Sequence, residues 1–426
     1  GILMIKHSIK LFFKFFFLII FIFSLLISCL NKTIKLNKCA KITFAVFSDI
    51  QMKDYDSDGK RKLKTALKTY NKYFPNLDAY IISGDLTENG SQLQYDNFIN
   101  IFNKYSKKDA KLLTVMGNHD YWNELSADEA QKRFENNMET KINTHTILKG
   151  YDFINISSEN GDCHGTFNEN LIQWLKKELN IAKNRDAKKP IFINVHQHIK
   201  NTVYGSDLWG NDSLYKVLKD YPQVIVFSGH SHYDINDERS IHQKDFTSVG
   251  TSSISYTELE PGKIEGSIPK DFCHFSQGLA VKVYEDNTVE IQRLDFHNNT
   301  KIKKPWIIKE PSKKELFTYT DNRKNLVSAP YFNKNATVKI NRITSNSATI
   351  AFTQGKHEDF VQSYRIELLN EDNKTFYKNL FTFSDFYLGL KNMKNSLTVT
   401  LPNLNSNTKY EIKIYAIESF GKESTN

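Results

Sequence analysis

Residues 42–49 read Ile-Thr-Phe-Ala-Val-Phe-Ser-Asp, an apolar and β-rich run that ends at the carboxylate of Asp49. The same arrangement recurs four times further along the chain. The later runs are residues 79–83 before Gly84-Asp85, residues 111–116 before Gly117-Asn118-His119, residues 191–195 before His196, and residues 224–228 before Gly229-His230. Ligand crevices of parallel sheets lie beyond the carboxyl ends of the strands, so these runs predict one shared polar site.

Helical patterns fill the intervals between the first three predicted strands. They run from Lys60 to Tyr73 and from Ser91 to Tyr105. Such a βαβαβ opening predicts a largely parallel sheet whose strands are buried on both faces. Gly84, Gly117 and Gly229 suit tight turns in which the main chain approaches a ligand closely.

The polar residues at the strand ends have the chemistry of metal ligands. They offer carboxylate, amide and imidazole groups, which suit divalent manganese, iron or zinc. No cysteine joins them, so a structural zinc site built from thiolates is not predicted. A lone buried histidine is more often a satisfied core residue than a ligand, but five clusters of ligand-type residues favour a metal site. The candidate ligands are Asp49, Asp85, Asn118, His196, His230 and His232.

As an ordered set, the motifs resemble those of the calcineurin-like metallophosphoesterases. They are Asp49-Ile50-Gln51, Gly84-Asp85, Gly117-Asn118-His119-Asp120, His196-Gln197-His198 and Gly229-His230-Ser231-His232. The resemblance implies an α/β (α+β) fold, a four-layer sandwich of two mixed β-sheets flanked by helices. It also implies an enzyme, a phosphoric ester hydrolase, that works through two divalent metal ions and a metal-bridging hydroxide.

The resemblance further assigns roles to single residues. The first metal would be held by Asp49, Gln51, Asp85 and His232, and the second by Asp85, Asn118, His196 and His230. His119 would be the catalytic histidine beside the scissile ester, and Asp120 would orient its ring. His198 is expected near the ligands but not among them.

Gln51 departs from the commonest pattern of the family, which has histidine at this position. A glutamine oxygen is a neutral and harder donor than imidazole, so manganese is favoured over iron or zinc. Relatives that resemble manganese-dependent nucleotide-diphosphate-linked phosphodiesterases carry glutamine here. Direct coordination by Gln51, coordination through water and no coordination all remain open. Purple acid phosphatases are disfavoured, because Leu86-Thr87-Glu88 after Asp85 lacks their tyrosine ligand.

The predicted function is hydrolysis of phosphate esters, with phosphodiesters or nucleotide-type substrates preferred. Tyr204 and Trp209 lie in a loop after the His196 strand and either stack on a substrate base or pack on their own domain. One alternative is a phosphomonoesterase or nucleotidase. Another is a non-catalytic surface-binding protein with a degenerate phosphoesterase domain, for which Gln51 is the only support.

The N-terminal segment resembles a bacterial lipoprotein signal. A basic start from Met4 to Lys10 precedes an apolar run from Phe15 to Ile27, and Leu26-Ile27-Ser28-Cys29 resembles a lipobox. We predict a signal peptide over residues 1–28, a lipid on Cys29, and a protein anchored to the extracytoplasmic face of a bacterial cell membrane. An uncleaved membrane anchor is the rival interpretation, although the apolar run is short for a span.

From about Ala336 the pattern becomes all-β, with strands separated by Asn- and Ser-rich turns. Leu404, Thr408 and Tyr410 resemble the tyrosine corner of fibronectin type III domains. Phe352 stands where that family often has tryptophan. The resemblance implies a second, all-β sandwich domain.

These patterns set the domain boundaries. We predict the metallophosphoesterase domain over residues 40–298, a basic linker over 299–335 and the fibronectin type III-like domain over 336–426. The last domain is expected to be shortened where a final strand should run. A cell-wall or surface ligand is its expected partner.

Composition adds two constraints. The chain of 426 residues carries a formal net charge of +9, which favours anionic substrates and surfaces, and it contains no nucleic-acid binding motif. Cys163 and Cys273, each followed by histidine, either form a disulfide outside the cytoplasm or remain unpaired thiols.

Overall fold

The computed structural model describes residues 39–425, apart from 56 and 373, together with residues 19, 20, 22 and 24. One compact unit spans Ile42–Asn426, and the elements below belong to it. In the other unit, the four described residues before Cys39 are helical. The predicted lipobox and its Cys29 lie outside the described residues. No helix in the described part of the chain combines the length and the apolar character that a membrane span requires.

Two mixed six-stranded sheets lie at the centre of this unit. The first contains, in spatial order, β14 (Thr300–Ile308), β13 (Val289–Asp295), β12 (Gln277–Val283), β1 (Ile42–Phe47), β2 (Ala79–Ile82) and β3 (Lys111–Thr114). The second contains β10 (Ile241–Gln243), β11 (Thr247–Gly250), β9 (Val224–Ser228), β6 (Ile191–Val195), β5 (Tyr151–Ile156) and β4 (Thr144–Leu148). Strands β1 to β3 run parallel, as do β5, β6, β9 and β11. A two-stranded pair consists of β7 (His198–Ile199) and β8 (Gly210–Asn211).

Helices cover the outer faces of both sheets. Along the first helix, Leu63, Ala66, Leu67 and Tyr70 form the buried face at helical spacing. The first sheet is covered by α1 (Ser57–Tyr73), α2 (Gln92–Tyr105) and α3 (Ala127–Met138), and the second by α4 (Glu169–Arg185). Short helices follow at α5 (Ser206–Trp209), α6 (Tyr215–Leu218) and α7 (Arg323–Leu326). The layers are therefore helix, sheet, sheet and helix, which confirms the predicted sandwich.

The two sheets pack face to face through aromatic side chains. Phe44 of β1 lies edge-on to Phe153, Phe192 and Phe227 of the second sheet, with ring centroids 4.9 to 6.1 Å apart. Phe47 of the same strand packs on the opposite face, against the helices. Because strands such as β1 are buried on both faces, their sequences are almost entirely apolar.

The predicted linker over residues 299–335 is not a free connection. Its first part forms β14, which pairs antiparallel with β13. Trp306 of this strand is buried and donates from Nε1 to Glu238 at 2.7 Å. Further along, Gln243 accepts a hydrogen bond from the main chain of Tyr319. The strand was missed because Lys304 occupies the position between Ile302 and Trp306 where the period of two requires an apolar residue, and Pro305 argues against a strand.

The C-terminal part is a sandwich of two three-stranded sheets. One holds β15 (Val338–Ile343), β16 (Ala348–Thr353) and β19 (Ser396–Leu401), and the other holds β18 (Phe376–Phe383), β17 (Val361–Asn370) and β20 (Tyr410–Glu418). Phe352 is buried against Tyr364, with ring centroids 4.8 Å apart, and fills the place that tryptophan often has. The main-chain N–H of Asn405 donates to the hydroxyl of Tyr410 at 3.0 Å, which forms the predicted corner.

Three cysteines fall within the described residues. Cys163 is partly buried and Cys273 is exposed, and both are free thiols, as is Cys39. Of the two alternatives left open by the sequence, the structure has the unpaired thiols.

Candidate metal centre

The carboxyl ends of the parallel strands bring the predicted ligands together. Asp49, Asp85 and Asn118 follow β1, β2 and β3, while His196 and His230 follow β6 and β9. Two groups of buried side chains each hold their ligand atoms within 4.8 Å of one another, and Asp85 belongs to both. The groups are Asp49, Asp85 and His232, and Asp85, His196 and His230. Each group could hold a metal ion, and Asp85 is the carboxylate that the two groups share.

Two of the histidines are oriented by main-chain carbonyl groups. Nδ1 of His196 lies 2.8 Å from the carbonyl oxygen of Ser83, and Nδ1 of His232 lies 3.2 Å from that of Tyr256. A carbonyl only accepts hydrogen bonds, so Nδ1 carries a proton and Nε2 is the atom that faces the centre. Metal-binding histidines are commonly fixed in this way, since the second nitrogen sets the tautomer and the ring orientation.

Several polar atoms of this centre are buried and have no hydrogen-bond partner among the described residues. They are Asp49 Oδ1, Asp85 Oδ2 and His230 Nε2. His196 Nε2 lies 3.3 Å from Asp85 Oδ2, and His232 Nε2 lies 3.1 Å from Asp49 Oδ1, but neither pair has hydrogen-bond geometry. Leaving each such atom unpaired costs about 1–3 kcal/mol, a cost that a shared cation removes. The residues present therefore fit divalent metal ions.

Two amide side chains border the ligand groups. Asn118 Oδ1 lies 3.0 Å from His196 Nε2, so the amide oxygen and the imidazole face the same space. Gln51 Nε2 lies 3.5 Å from His232 Nε2, and Gln51 Oε1 lies 3.4 Å from the hydroxyl of Ser255. Direct coordination by Gln51 requires its amide group to turn over, which exchanges the oxygen for the nitrogen. Asn118 thus presents its amide oxygen to the centre, whereas Gln51 presents its amide nitrogen, and the three alternatives for Gln51 stay open.

The main chain is strained at the ligands. A positive φ is uncommon for residues other than glycine, yet five of the residues predicted to bind metal adopt one. They are Asp49 (53°), Gln51 (46°), Asp85 (52°), His230 (72°) and His232 (57°). Such residues cost on the order of 1 kcal/mol each and cluster at functional sites. No sequence pattern predicted this strain, because the surrounding fold imposes it.

Two motif glycines are required by the space beside the ligands. A Cβ on Gly117 would lie 2.0 Å from Asp85 Oδ1, and one on Gly229 would lie 2.5 Å from Asp49 Oδ2. Both distances are far below van der Waals contact, so a larger residue must displace a ligand. The predicted close approach of the main chain at these turns is confirmed.

Charges within the centre stabilise one another. Burial opposes ionisation of Asp85, but His196 outweighs it and holds the pKa of Asp85 well below its usual range. Burial also disfavours the charged form of His196, but the Asp85 carboxylate raises the pKa of His196 to about 9. Burial and the neighbouring His196 keep the pKa of His230 well below its ordinary value. His230 is therefore neutral and available to a metal, whereas a metal must displace a proton from His196.

His119 lies at the edge of the centre. Its Nδ1 donates to the carbonyl of Glu88 at 2.8 Å, and its Nε2 lies 3.9 Å from Asp85 Oδ2. The ring lies against Trp122, with centroids 4.1 Å apart. The carbonyl of Glu88 orients His119, so the prediction that Asp120 does so is wrong.

Asp120 has a different place in the structure. Its side chain is buried and accepts from the main-chain N–H groups of Thr87 at 3.0 Å and Gly117 at 2.9 Å. These bonds tie the turn after β2 to the turn after β3. His119 and Asp120 occupy one 3-10 turn, in which successive side chains point about 120° apart, so they cannot face the same way.

Aromatic rings flank the metal centre. Trp209 lies edge-on to His230, with centroids 5.1 Å apart, and Tyr256 lies against His232 at 4.4 Å. Tyr204 is buried inside the protein instead. The two alternatives predicted for this loop, a substrate wall and internal packing, apply to different residues. Trp209 faces the site, and Tyr204 packs inside the protein. Tyr256 was missed, because it belongs to no motif and follows no predicted strand.

His198 is not a metal ligand, as expected. Its ring nitrogens lie 2.7 Å from the hydroxyl of Ser228 and 2.8 Å from that of Ser231. Burial lowers the pKa of His198 to about 3, so the ring is neutral. These bonds brace the turn that carries His230 and His232.

Comparison with known proteins identifies the class of protein. Residues 42–234 match the sequence profile of the calcineurin-like phosphoesterases. Residues 329–426 match that of the fibronectin type III domain. The chain therefore contains a calcineurin-like metallophosphoesterase domain followed by a fibronectin type III domain.

Two similar proteins are named as phosphodiesterases. A probable glycerophosphodiester phosphodiesterase of Arcobacter nitrofigilis is 31% identical over 190 residues, which cover 41% of this chain and 64% of that protein. This chain thus spans somewhat less than two thirds of that relative. A 3',5'-cyclic-nucleotide phosphodiesterase of Nostoc sp. is 24% identical over 277 residues, which cover 61% of this chain and 96% of that protein. Among solved structures, a purple acid phosphatase of yellow lupin (Lupinus luteus) aligns with a TM-score of 0.46 and 16% identity over 67% of this chain and 55% of that chain, too weakly to bear on function.

Proposed function

We propose that this protein is a dinuclear metal-dependent phosphodiesterase. The supporting observation is a pair of buried ligand groups that share Asp85 and leave atoms of Asp49, Asp85 and His230 without hydrogen-bond partners among the described residues. Two divalent metal ions bound there would supply Lewis-acid activation of a water molecule and of the phosphoryl group. Manganese is the favoured metal, because carboxylate and amide oxygens form a large share of the donors.

The residues of the chain hold and orient the reacting groups. One metal position would be formed by Asp49, Asp85 and His232 with Gln51 beside it, and the other by Asp85, Asn118, His196 and His230. The carbonyl groups behind His196 and His232 keep their imidazole rings aimed at these positions. Burial excludes bulk water, which strengthens the attraction between the centre and an anionic phosphate ester.

His119 is placed to act on the leaving group. Its Nδ1–H is engaged by the carbonyl of Glu88, which leaves Nε2 free to face the cleft. Its side chain is 18% exposed, so a substrate can reach it. When protonated, Nε2 can donate to the leaving oxygen or stabilise the charge that develops there.

Phosphodiesters are the favoured substrate class. Both relatives described above are named phosphodiesterases, one for glycerophosphodiesters and one for 3',5'-cyclic nucleotides. Trp209 and Tyr256 give the site flat apolar walls beside His230 and His232. An aromatic group such as a nucleobase can stack on such rings.

Hydrolysis by metal-stripped protein tests this proposal. The protein is resupplied with Mn, Zn, Fe, Mg or Ca and assayed with bis-p-nitrophenyl phosphate and p-nitrophenyl phosphate. We expect diester hydrolysis to return with manganese and to be absent in Asp85→Asn under the same conditions. A preference for the monoester would identify a phosphatase or nucleotidase instead. A folded protein with neither bound metal nor activity would contradict the proposal and favour a non-catalytic surface-binding protein.

We also propose that the protein is lipid-anchored at the extracytoplasmic face of a bacterial cell membrane. The support is the lipobox-like sequence Leu26-Ile27-Ser28-Cys29 at the end of an apolar run. Metabolic labelling with a fatty acid tests this location in the full chain. Wild-type protein should take up the label and Cys29→Ser should not, whereas label that persists in Cys29→Ser would contradict the anchor.

A further inference from the structure

The fibronectin type III domain packs on two loops that border the metal centre. The first loop, residues 200–211, carries Trp209, and the second, residues 254–275, carries Tyr256. Side chains of β17 and β18, and of the residues after β18, contact both loops. The two domains therefore meet at the border of the site and not at a remote surface.

An apolar cluster forms the middle of this contact. It contains Tyr204, Tyr233 and Leu259 of the first domain, and Phe360, Phe383, Phe386 and Tyr387 of the second. Phe360 and Phe386 stack, with ring centroids 5.0 Å apart. Each member of the cluster is at most 8% exposed, so the two domains share one hydrophobic core here.

Hydrogen bonds also hold the contacting surfaces of the two domains in a fixed relative position. Gln362 Nε2 donates to Glu260 Oε1 at 2.9 Å and to the hydroxyl of Tyr204 at 3.2 Å. The main-chain N–H of Ile264 donates to the carbonyl of Phe381 at 2.8 Å. Because Tyr204 belongs to the first loop and Glu260 to the second, the side chain of Gln362 ties both loops to the fibronectin type III domain at once.

The second loop also holds a predicted metal ligand. The carbonyl of His232 accepts from the hydroxyl of Thr257 at 3.0 Å and from the main-chain N–H of Glu258 at 3.2 Å. The Nδ1–H group of His232 donates to the carbonyl of Tyr256 at 3.2 Å. The next residue, Tyr233, belongs to the apolar cluster. Trp209 and Tyr256, the two walls of the site, therefore belong to loops that the second domain contacts. His232 is hydrogen-bonded to one of these loops.

We infer that the fibronectin type III domain positions the phosphoesterase site. Through Gln362 and the apolar cluster it holds Trp209 and Tyr256 in place, which sets the width of the substrate cleft and the affinity of the metal position that includes His232. The kinetic part of this inference rests on the proposed function, whereas the effect on metal binding needs no substrate. The domain thereby has a role that is independent of any cell-wall or surface ligand.

Substitution of Gln362 in the full chain separates positioning from stability. Gln362→Ala removes the hydrogen bonds that tie both loops to the fibronectin type III domain, and it changes no residue of the metal centre. Gln292→Ala is the matched control, because Gln292 is also buried and donates to the carbonyls of Arg293 and Ile302 within the first sheet. Manganese affinity by titration calorimetry, KM and kcat for the diester, and Tm are measured for both variants.

We expect Gln362→Ala to weaken manganese binding and to raise KM by about fivefold each, the scale of a lost hydrogen bond. The change in kcat should be smaller. Gln292→Ala should lower Tm and leave both constants near wild type. Tyr387→Phe deletes only the hydroxyl that donates to the carbonyl of Lys270 at 2.8 Å, and it replaces Gln362→Ala if that variant does not fold.

Two results would overturn the inference. One is wild-type constants in Gln362→Ala, or in Tyr387→Phe where it replaces that variant, and the other is an equal loss in Gln292→Ala. If even the wild type fails to hydrolyse the diester while manganese affinity still falls in Gln362→Ala, the proposed function fails and the positioning role stands.

Discussion

The metal centre and the contact between the two domains are both buried and polar, yet they differ in how their polar atoms are paired. At the metal centre, three ligand atoms find no hydrogen-bond partner in the part of the chain that the structure describes: Asp49 Oδ1, Asp85 Oδ2 and His230 Nε2. At the domain contact, Gln362, Glu260 and Tyr204 bond one another. The hydroxyl of Tyr233, at the domain contact, also has no partner among the described residues. At the metal centre, however, three such atoms belong to neighbouring ligand groups, and each costs about 1–3 kcal/mol that a shared ligand can remove. The first cluster is built to receive a ligand, and the second joins two surfaces.

The backbone conformation also differs between the two regions. Both aspartates and two of the histidines in the ligand groups have a positive φ, whereas Tyr204, Glu260 and Gln362 do not. Strain of this kind is retained where it aims a side chain at a functional position. At the domain contact, ordinary backbone conformations suffice, because apolar packing and side-chain hydrogen bonds fix the residues.

The largest effect is expected from Asp85, because both ligand groups contain it. Asp85→Asn should reduce diester hydrolysis on the order of 10⁴-fold, since the bridging charge that holds both cations is lost. Bound manganese should fall below one ion per chain. Elemental analysis and steady-state rates measure both effects. Asp58→Asn, which changes an exposed carboxylate, is the control, and a wild-type metal content in Asp85→Asn would contradict a shared position.

A smaller effect that leaves metal binding intact is expected from His119. His119→Ala should lower kcat roughly 10³-fold, the scale of general acid catalysis. Bound manganese should stay at the wild-type amount, because Nε2 of His119 lies beside the ligand groups and not among them. Loss of manganese in this variant would place His119 among the ligands and reject its assigned role.

Gly117 tests how tightly the main chain encloses the ligands. Gly117→Ala places a Cβ where Asp85 Oδ1 lies, and overpacking of this kind costs about 1–3 kcal/mol. Manganese affinity should therefore fall roughly 10- to 100-fold in a calorimetric titration. Gly250→Ala is the matched control, because its Cβ would meet no atom closer than 3.7 Å. Equal manganese affinities in the two variants would show that the turn at Gly117 moves to accommodate the methyl group, which would contradict the tight enclosure of Asp85.

Removal of the metal should lower the free energy of unfolding through the metal centre and not through the domain contact. Manganese at 100 times its Kd adds about 2.7 kcal/mol to the free energy of unfolding, so chelation should lower the Tm of wild-type protein. Asp85→Asn should show no such shift. Gln362→Ala should also lower the Tm of the metal-free protein, because its hydrogen bonds join the two domains. A Tm that does not respond to manganese in the wild type would mean that the unpaired atoms receive no metal.

Much of the fold and of the ligand set could be predicted because their signals are local. The runs before Asp49, Asp85 and His196 are mostly apolar, and each ligand lies within three residues of the end of its strand. The strand containing Trp306 was missed, because a lysine interrupts its alternation. The predicted partner of Asp120 was also wrong, since the directions of neighbouring side chains in a short turn depend on its geometry.

The rest of the site depends on contacts between distant residues. Gln362 and Glu260 are 102 positions apart, and neither lies in a motif. The carbonyl of Glu88 that orients His119 is a main-chain atom, which residue identity does not specify. Tyr256 reaches His232 from a loop without regular structure. Only the folded chain brings these groups together.

The electron paramagnetic resonance spectrum of manganese-loaded protein tests the dinuclear centre most directly. Because Asp85 belongs to both ligand groups, and each group gathers its ligand atoms within 4.8 Å, two bound ions must lie close together. We predict two manganese ions per chain with an exchange-coupled spectrum. The spectrum of an isolated ion at one per chain, whatever the manganese concentration, would contradict a dinuclear centre, and so would a folded protein that binds none.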